Sequence, residues 1–258
     1  MIDAWVLVVG GGGMGSVIAG RMSDAVERVT VLETDAGHAR RMRHPGLELD
    51  DQGEPRVIAL DVRDGADALD DRFDFALVTV KAPRLANALV PLAERDLAET
   101  FVSLGNGLVQ DRVAELVGVE KTMAGVMEFG ATYLGPGKVA HTADGPFAIG
   151  ELDGSRSDRL ERLATVLRPV NDVEVTTNVR GMVWTKLLLN STWSGLGTVS
   201  GGIYSDVAAD PVGRAVAHAL WTEGLDVGAA QGLALEALFG VRPEALAVRG
   251  PADRAGAD

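Results

Sequence analysis

Trp5-Val6-Leu7-Val8-Val9 is a continuous apolar run that stops at glycines, the pattern of a strand buried on both faces of a parallel sheet. The period then changes. Gly10 to Gly15 break the run, Ser16 to Met22 carry helical spacing, and Arg28 to Leu32 form a β-branched strand ending at Glu33. Further strands are predicted at Val57 to Leu60, Phe75 to Val80 and Phe101 to Leu104, with a helix at Arg84 to Ala93. Strands alternating with helices predict an α/β fold with a doubly wound, mostly parallel sheet.

From about Thr122 to Gly150 apolar and polar residues alternate, and Gly135-Pro136-Gly137 marks a turn before Lys138 to His141. Antiparallel edge strands are expected there. Ser157 to Leu167 reads as an amphipathic helix and Val173 to Thr176 as a last short strand. Beyond Asn178 the pattern is helical only: Val183, Trp184, Leu187, Leu188 and Leu189 cover most of one helix, and Pro211 to Gln231 give another. The expected division is therefore an α/β domain over 1–178 and an all-helical domain over 179–258. Arg249 to Asp258 lack periodicity and read as a frayed or cut end.

At 258 residues the chain has room for two domains. Its 24 basic and 37 acidic residues give a formal charge of −13, which repels nucleic-acid phosphates and anionic lipid, so neither is an expected partner. The first apolar run is too short for a signal core or a membrane span. The absence of Cys excludes disulfides, thiolate nucleophiles and sulfur-bound metals, and fits a cytoplasmic location. His38, His44, His141 and His218 show no metal-ligand spacing, so no metal is expected. Ser16, Ser194 and Ser200 lack a nucleophile-elbow context, and Trp193, Trp221 and Phe239 read as core or interface.

Gly10-Gly11-Gly12-Gly13-Met14-Gly15 holds G-x-G-x-x-G between a buried strand and a helix, the context in which that motif binds a dinucleotide on a Rossmann-type fold. Gly10 permits the tight turn, Gly12 the approach of a pyrophosphate, and Gly15 close helix–strand packing. Gly10, Gly12, Gly13, Met14 and Gly15 are thus candidate cofactor-binding residues. Glu33, 18 residues after Gly15, ends the second strand, where a carboxylate bonds the adenosine ribose and repels a 2′-phosphate, favouring NAD. The alternative is that Glu33 merely begins a solvated loop, with Arg40 and Arg41 reaching a phosphate.

Lys81 and Asn106 follow predicted strands at the carboxyl edge, where open α/β sheets bind ligands. Each is also compatible with an ordinary loop or an Asn-Gly turn. Lys186, Asn190 and Ser194 recur every four residues on an otherwise apolar helix. Such a stripe either faces solvent or lines a cleft, in which a desolvated lysine of lowered pKa would suit proton donation.

The chain resembles the ketopantoate reductase (2-dehydropantoate 2-reductase) family in an ordered set of residues spanning 1 to about 200. The set comprises Gly10, Gly12 and Gly15; Val78-Thr79-Val80-Lys81-Ala82; Asn106-Gly107; the Gly-Pro-Gly turn with Val139-Ala140-His141 and Ile149-Gly150; and Trp184-Thr185-Lys186-Leu187 with Asn190. The resemblance implies a Rossmann-type domain followed by a helical domain like the C-terminal domain of 6-phosphogluconate dehydrogenase. It implies an enzyme of pantothenate biosynthesis that reduces the 2-oxo acid ketopantoate to pantoate with NADP(H); extra apolar surface on the helical domain could also mediate a homodimer. Lys186 would be the general acid, Asn190, Ser194 and Lys81 would bind substrate, and Lys81 and Asn106 would border the nicotinamide.

Three departures stand beside the likeness. Ser194 occupies the place of a second Asn, Glu33 that of a basic residue favouring NADP(H), and no segment supplies the family's later Ser and Glu, so the helical domain reads as shortened. These departures leave two alternatives: a dehydrogenase of the same fold for another 2-oxo or 3-hydroxy acid, and a non-catalytic dinucleotide-binding module.

Overall fold

The computed structural model describes residues 1–250 and Asp253. The unpatterned end expected at Arg249 to Asp258 therefore lies largely outside the described residues. The chain divides into two compact units, one of Met1–Gly105 with Val109–Val179, the other of Asn106–Leu108 with Arg180–Asp258.

In chain order the first unit contains β1 (Ile2–Val9), α1 (Gly13–Met22), β2 (Val26–Leu32), α2 (Ala36–Arg41), β3 (Leu47–Asp51), β4 (Glu54–Ile58), β5 (Asp61–Arg63) and β6 (Phe73–Val78). It continues through α3 (Leu85–Glu94), β7 (Ala98–Ser103), α4 (Val109–Val117), β8 (Thr122–Met127), β9 (Gly130–Gly135), β10 (Lys138–Ala143), β11 (Phe147–Glu151), α5 (Asp158–Leu167) and β12 (Val173–Val175). The main sheet has the order β12-β11-β8-β7-β6-β1-β2-β5. Pairing is parallel except between β8 and β11. This is the Rossmann-type, mostly parallel sheet that the alternating pattern predicts.

Strand alternation builds two cores, one on each face. Val6 and Val8 of β1 join Phe75 and Leu77 of β6 in one cluster, which also holds Val17, Ile18 and Leu163. Leu7 and Val9 join Ala76 and Val78 in the other, with Leu89 and Val113. Both sets are buried, which is why the strands read as unbroken apolar runs rather than alternations.

The run Val57 to Leu60 is corrected. It is not a strand of the parallel series: β4 ends at Ile58 and pairs antiparallel with β3 in a separate four-stranded sheet, β4-β3-β10-β9. The edge expectation for Thr122 to Gly150 is corrected in part, because β8 lies inside the main sheet between β7 and β11, buried on both sides. The turn at Gly135 to Gly137 does join antiparallel strands, β9 and β10.

The second unit is helical. It takes in most of α6 (Val179–Leu189), then a wider π turn at Asn190–Ser194, α7 (Gly195–Ser200), α8 (Tyr204–Ala209) and α9 (Pro211–Ala230). Trp184 and Leu188 of α6 pack with Trp221 and Leu225 of α9. Two glycines permit the close approach: a Cβ on Gly224 would collide with Leu188, and one on Gly228 would lie 2.7 Å from the Trp184 indole nitrogen. That indole donates to the Gly224 carbonyl at 3.1 Å. Among the described residues, no helix is long and apolar enough to cross a membrane.

Candidate functional site

β1 lies between β2 and β6, so the chain turns opposite ways from its two neighbours and opens a crevice at the carboxyl ends of the strands. Gly10 to Gly15 cross that crevice. Gly10 has φ +103°, a conformation that L side chains avoid, and its N–H donates to the Leu32 carbonyl at 2.9 Å. A Cβ on Gly15 would strike the Gly10 carbonyl oxygen and lie 2.7 Å from Thr79 Oγ1. Around Gly12, by contrast, no atom stands within 4 Å of the place a Cβ would take. Gly12 caps α1 without a side chain, so the first-turn N–H groups and the positive helix end are available to an anion. The loop is tight where it packs and open where a pyrophosphate would approach.

Glu33 is tied into this loop rather than solvated. Its Oε2 accepts from the Gly11 N–H at 2.9 Å and its Oε1 from the Asp35 N–H at 2.7 Å. Nearby, the Tyr133 phenol is pushed above its usual range by burial and by the charges of Asp35 and Glu33. Arg40 and Arg41 are exposed on α2.

Lys81 lies three residues past β6, exposed, where it starts the short 3₁₀ turn Ala82–Arg84. Asn106 lies three residues past β7, exposed, followed by Gly107 at φ +83°. The Asn-Gly pair is a turn, and it also puts a polar side chain at the sheet's carboxyl edge.

In the helical unit, Lys186 is half-buried on α6, with Nζ 4.9 Å from the centre of the Phe239 ring. Phe239 has φ +51°, costly for a non-glycine residue and frequent where a side chain must be aimed. Asn190 and Ser194 bound the π turn, a departure from regular helix that recurs at functional sites. The Ser194 hydroxyl bonds the Tyr204 hydroxyl at 2.5 Å. Beside these residues is an apolar cavity of about 210 Å³, lined by Leu189, Trp193, Tyr204, Trp221 and Phe239 among others. Trp221 and Trp193 belong to the helical core as expected while also lining this cavity, and Phe239 stands in its wall, half-exposed.

Several residues of the loop escape sequence reasoning. Ser16 Oγ donates to the Gly11 carbonyl at 2.5 Å, and Thr79 Oγ1 donates to the Gly10 carbonyl at 2.8 Å. His38, considered in the sequence only as a metal ligand, is buried against Gly11. Its one local signal is Asp35, whose side chain accepts from the His38 N–H and caps α2. Among the described residues no cluster of His, Asp and Glu is arranged to hold a metal.

The sequence matches two family models: ketopantoate reductase PanE/ApbA over residues 6–154 and its C-terminal counterpart over residues 178–248. A 2-dehydropantoate 2-reductase of Halobacterium salinarum is 28% identical over 250 residues, covering 95% of this chain and 81% of the relative. Two solved structures share the fold. The D-mandelate dehydrogenase complex with NADH and anilino(oxo)acetate superposes with a TM-score of 0.82 at 20% identity, covering 90% of this chain and 76% of that one. A 2-dehydropantoate 2-reductase from Geobacter metallireducens gives 0.78 at 24% identity, with coverage of 91% and 78%. The chain belongs to the ketopantoate reductase family, nicotinamide-dependent oxidoreductases with a Rossmann-type domain followed by a helical one.

Proposed function

We propose that the protein reduces a 2-oxo acid, in the first instance ketopantoate to pantoate, with residues 1–178 as dinucleotide-binding domain and 179–258 as substrate domain. The observation that carries the reading is the cradle, closed at Gly15, open at Gly12 and bordered by an anchored carboxylate. Gly10, Gly12, Gly13, Met14 and Gly15 would hold the pyrophosphate, Glu33 the ribose, and Lys81 and Asn106 the nicotinamide end. Bound there, a reduced nicotinamide supplies the hydride for C2 of the oxo acid.

The chain's own part is positioning and proton transfer. Lys186 Nζ donates a proton to the carbonyl oxygen as negative charge develops on it, and Asn190, Ser194 and Lys81 orient the carboxylate and hydroxyl of the substrate. The acidic pair Glu33 and Asp35 favours NAD(H), since a 2′-phosphate beside them would meet two negative charges. The protein would work in the cytoplasm. An exposed apolar stripe on α9, formed by Val212, Val216, Leu220 and Val227, supports a homodimer.

The test is oxidation of NADH and of NADPH with ketopantoate, followed by Lys186→Ala. Turnover with either cofactor, lost in the variant while dinucleotide affinity is kept, is the expected result. Unchanged turnover in Lys186→Ala would remove that residue from the chemistry.

A second reading rests on the apolar cavity. The Thr185 hydroxyl donates to the Gly181 and Glu236 carbonyls, the Trp221 indole to Pro243, and Tyr204 pairs with Ser194. A substrate hydroxyl entering there faces a wall made mostly of Leu189, Trp193, Trp221 and Phe239, whereas a branched alkyl or aryl group fills the space without loss. The D-mandelate dehydrogenase of the same fold holds an anilino(oxo)acetate. A panel of 2-oxo acids with apolar side chains, run against ketopantoate, decides between the readings by kcat/KM.

A further inference from the structure

We propose that His38 is a positioning residue for dinucleotide binding: as a neutral imidazole it locks the glycine loop in its anion-binding shape by joining the Gly11 carbonyl to the Gly137 amide. The proposal rests on the reading of Gly10 to Gly15 as the cofactor cradle.

The side chain of His38 is buried, 2% exposed, and both ring nitrogens are engaged. The Gly137 N–H donates to Nδ1 at 2.8 Å. Nδ1 therefore carries no proton, so the proton resides on Nε2, which donates to the Gly11 carbonyl at 2.5 Å. One tautomer of the neutral ring satisfies both ends, and an imidazolium would set a proton against the Gly137 amide.

Gly11 has no side chain and a wide range of backbone angles, so hydrogen bonds help to fix the orientation of its peptide groups. Its N–H is held by Glu33, and its carbonyl by His38 together with Ser16. A trans peptide directs carbonyl and N–H to opposite sides. Pinning the Gly11 carbonyl toward His38 thus turns the Gly12 N–H away from His38, at the residue whose Cβ position is open. Release of the carbonyl would let this peptide rotate and withdraw that donor from the pyrophosphate position.

The same contact gives the second sheet a task. Gly137 belongs to the turn between β9 and β10, and β9 also abuts the start of α1, where a Cβ on Gly13 would lie 3.2 Å from the Tyr133 nitrogen and 3.3 Å from the Ala131 oxygen. The Tyr133 ring meets His38 edge-on, with centroids 5.0 Å apart. The circuit closes through Asp35, which caps α2 at His38 and donates its own N–H to Glu33. The ribose carboxylate and the phosphate loop are therefore set by one hydrogen-bonded ring of residues.

Two variants separate the ends of the bridge. His38→Gln places an amide nitrogen where Nε2 stands and keeps the bond to Gly11. His38→Asn places an oxygen where Nδ1 stands, keeps the bond to Gly137 and cannot reach Gly11. Isothermal titration with NADH is expected to show affinity within about threefold of wild type for His38→Gln and a loss of about tenfold for His38→Asn. In turnover, the KM for NADH is expected to rise about tenfold in His38→Asn with a smaller change in kcat, and to stay within about threefold of wild type in His38→Gln.

Equal weakening of the two variants, or wild-type affinity in His38→Asn, overturns the proposal. If His38→Asn does not fold, His38→Met, of similar volume and without a donor, takes its place with the same expected loss. Failure of both to fold makes His38 a structural bolt and also overturns it. Absence of both NADH and NADPH binding by the wild-type protein would instead sink the cradle reading itself, and binding of NADPH alone would move the same titrations to NADPH.

Discussion

One added methyl group separates two roles within a single motif. Gly15→Ala forces its Cβ against the Gly10 carbonyl and Thr79, so a destabilisation of about 1–3 kcal/mol is expected in urea unfolding, along with lost NADH binding. Gly12→Ala has free space and should stay within about 1 kcal/mol of wild type, yet weaken NADH tenfold or more, roughly, because the methyl group occupies the ligand's place. Equal stability of the two variants would show that the loop is not packed as described. Both roles are legible in the sequence, because glycine at those spacings has few other uses. His38 is not, since a lone histidine six residues past a strand has no partner until Gly137 is brought to it.

At the level of elements, the C-terminal end of β11 is tied to the start of α5 through Glu151. Burial pushes the Glu151 carboxyl up, but hydrogen bonds from Arg159 and Ser157 and the charge of Arg159 outweigh it, so its pKa lies below the usual carboxylate range. Arg159 grips both oxygens, at 2.7 and 2.6 Å, and Ser157 donates at 2.5 Å while its hydroxyl caps α5. A depressed pKa means that this stabilisation is complete above about pH 4.3 and is lost as acid carries the pH down through the lowered value. Glu151→Gln should cost about 1–3 kcal/mol at pH 7, and the difference from wild type should shrink toward pH 3 in chemical unfolding. A gap independent of pH would place the effect in packing alone.

The strands themselves show what periodicity conveys. Phe75 to Val80 and Phe101 to Leu104 are close to β6 and β7 because strands buried on both faces carry no polar interruption. β3, reading Leu-Glu-Leu-Asp-Asp, and the three-residue β5 were missed, since short strands near a sheet edge hold as many charges as a loop. Val57 to Leu60 reads as one strand because four apolar residues run together, though Ile58 and Leu60 flank the boundary between β4 and β5 and Val57 is exposed.

For the molecule as a whole, the formal charge of −13 acts against an anionic dinucleotide arriving from solution. The association rate of NADH in stopped flow should therefore rise with added salt as screening shortens the reach of the repulsion, while a protein with a strongly basic funnel would show the reverse. The helical unit was legible in outline from Trp184, Leu188 and Trp221, but its approach geometry was not. Gly224 and Gly228 look like weak points in a helix until α6 is set against them. Likewise the cavity wall at Phe239 depends on a backbone conformation that no apolar count announces.

The bond between His38 and Gly137 also bears on how the protein is made. A ribosome delivers the glycine loop first, and more than ninety residues separate the two halves of the clamp that holds it. β3 waits as long for β10, its parallel neighbour. A nascent chain stopped before the β9–β10 turn thus holds a complete G-x-G-x-x-G braced by Glu33, Ser16 and Thr79, while His38 still lacks its Gly137 partner, and loop closure over that span comes late. During synthesis, then, cellular dinucleotide meets a loop that is braced on one side only, and its hold tightens modestly once Gly137 has emerged.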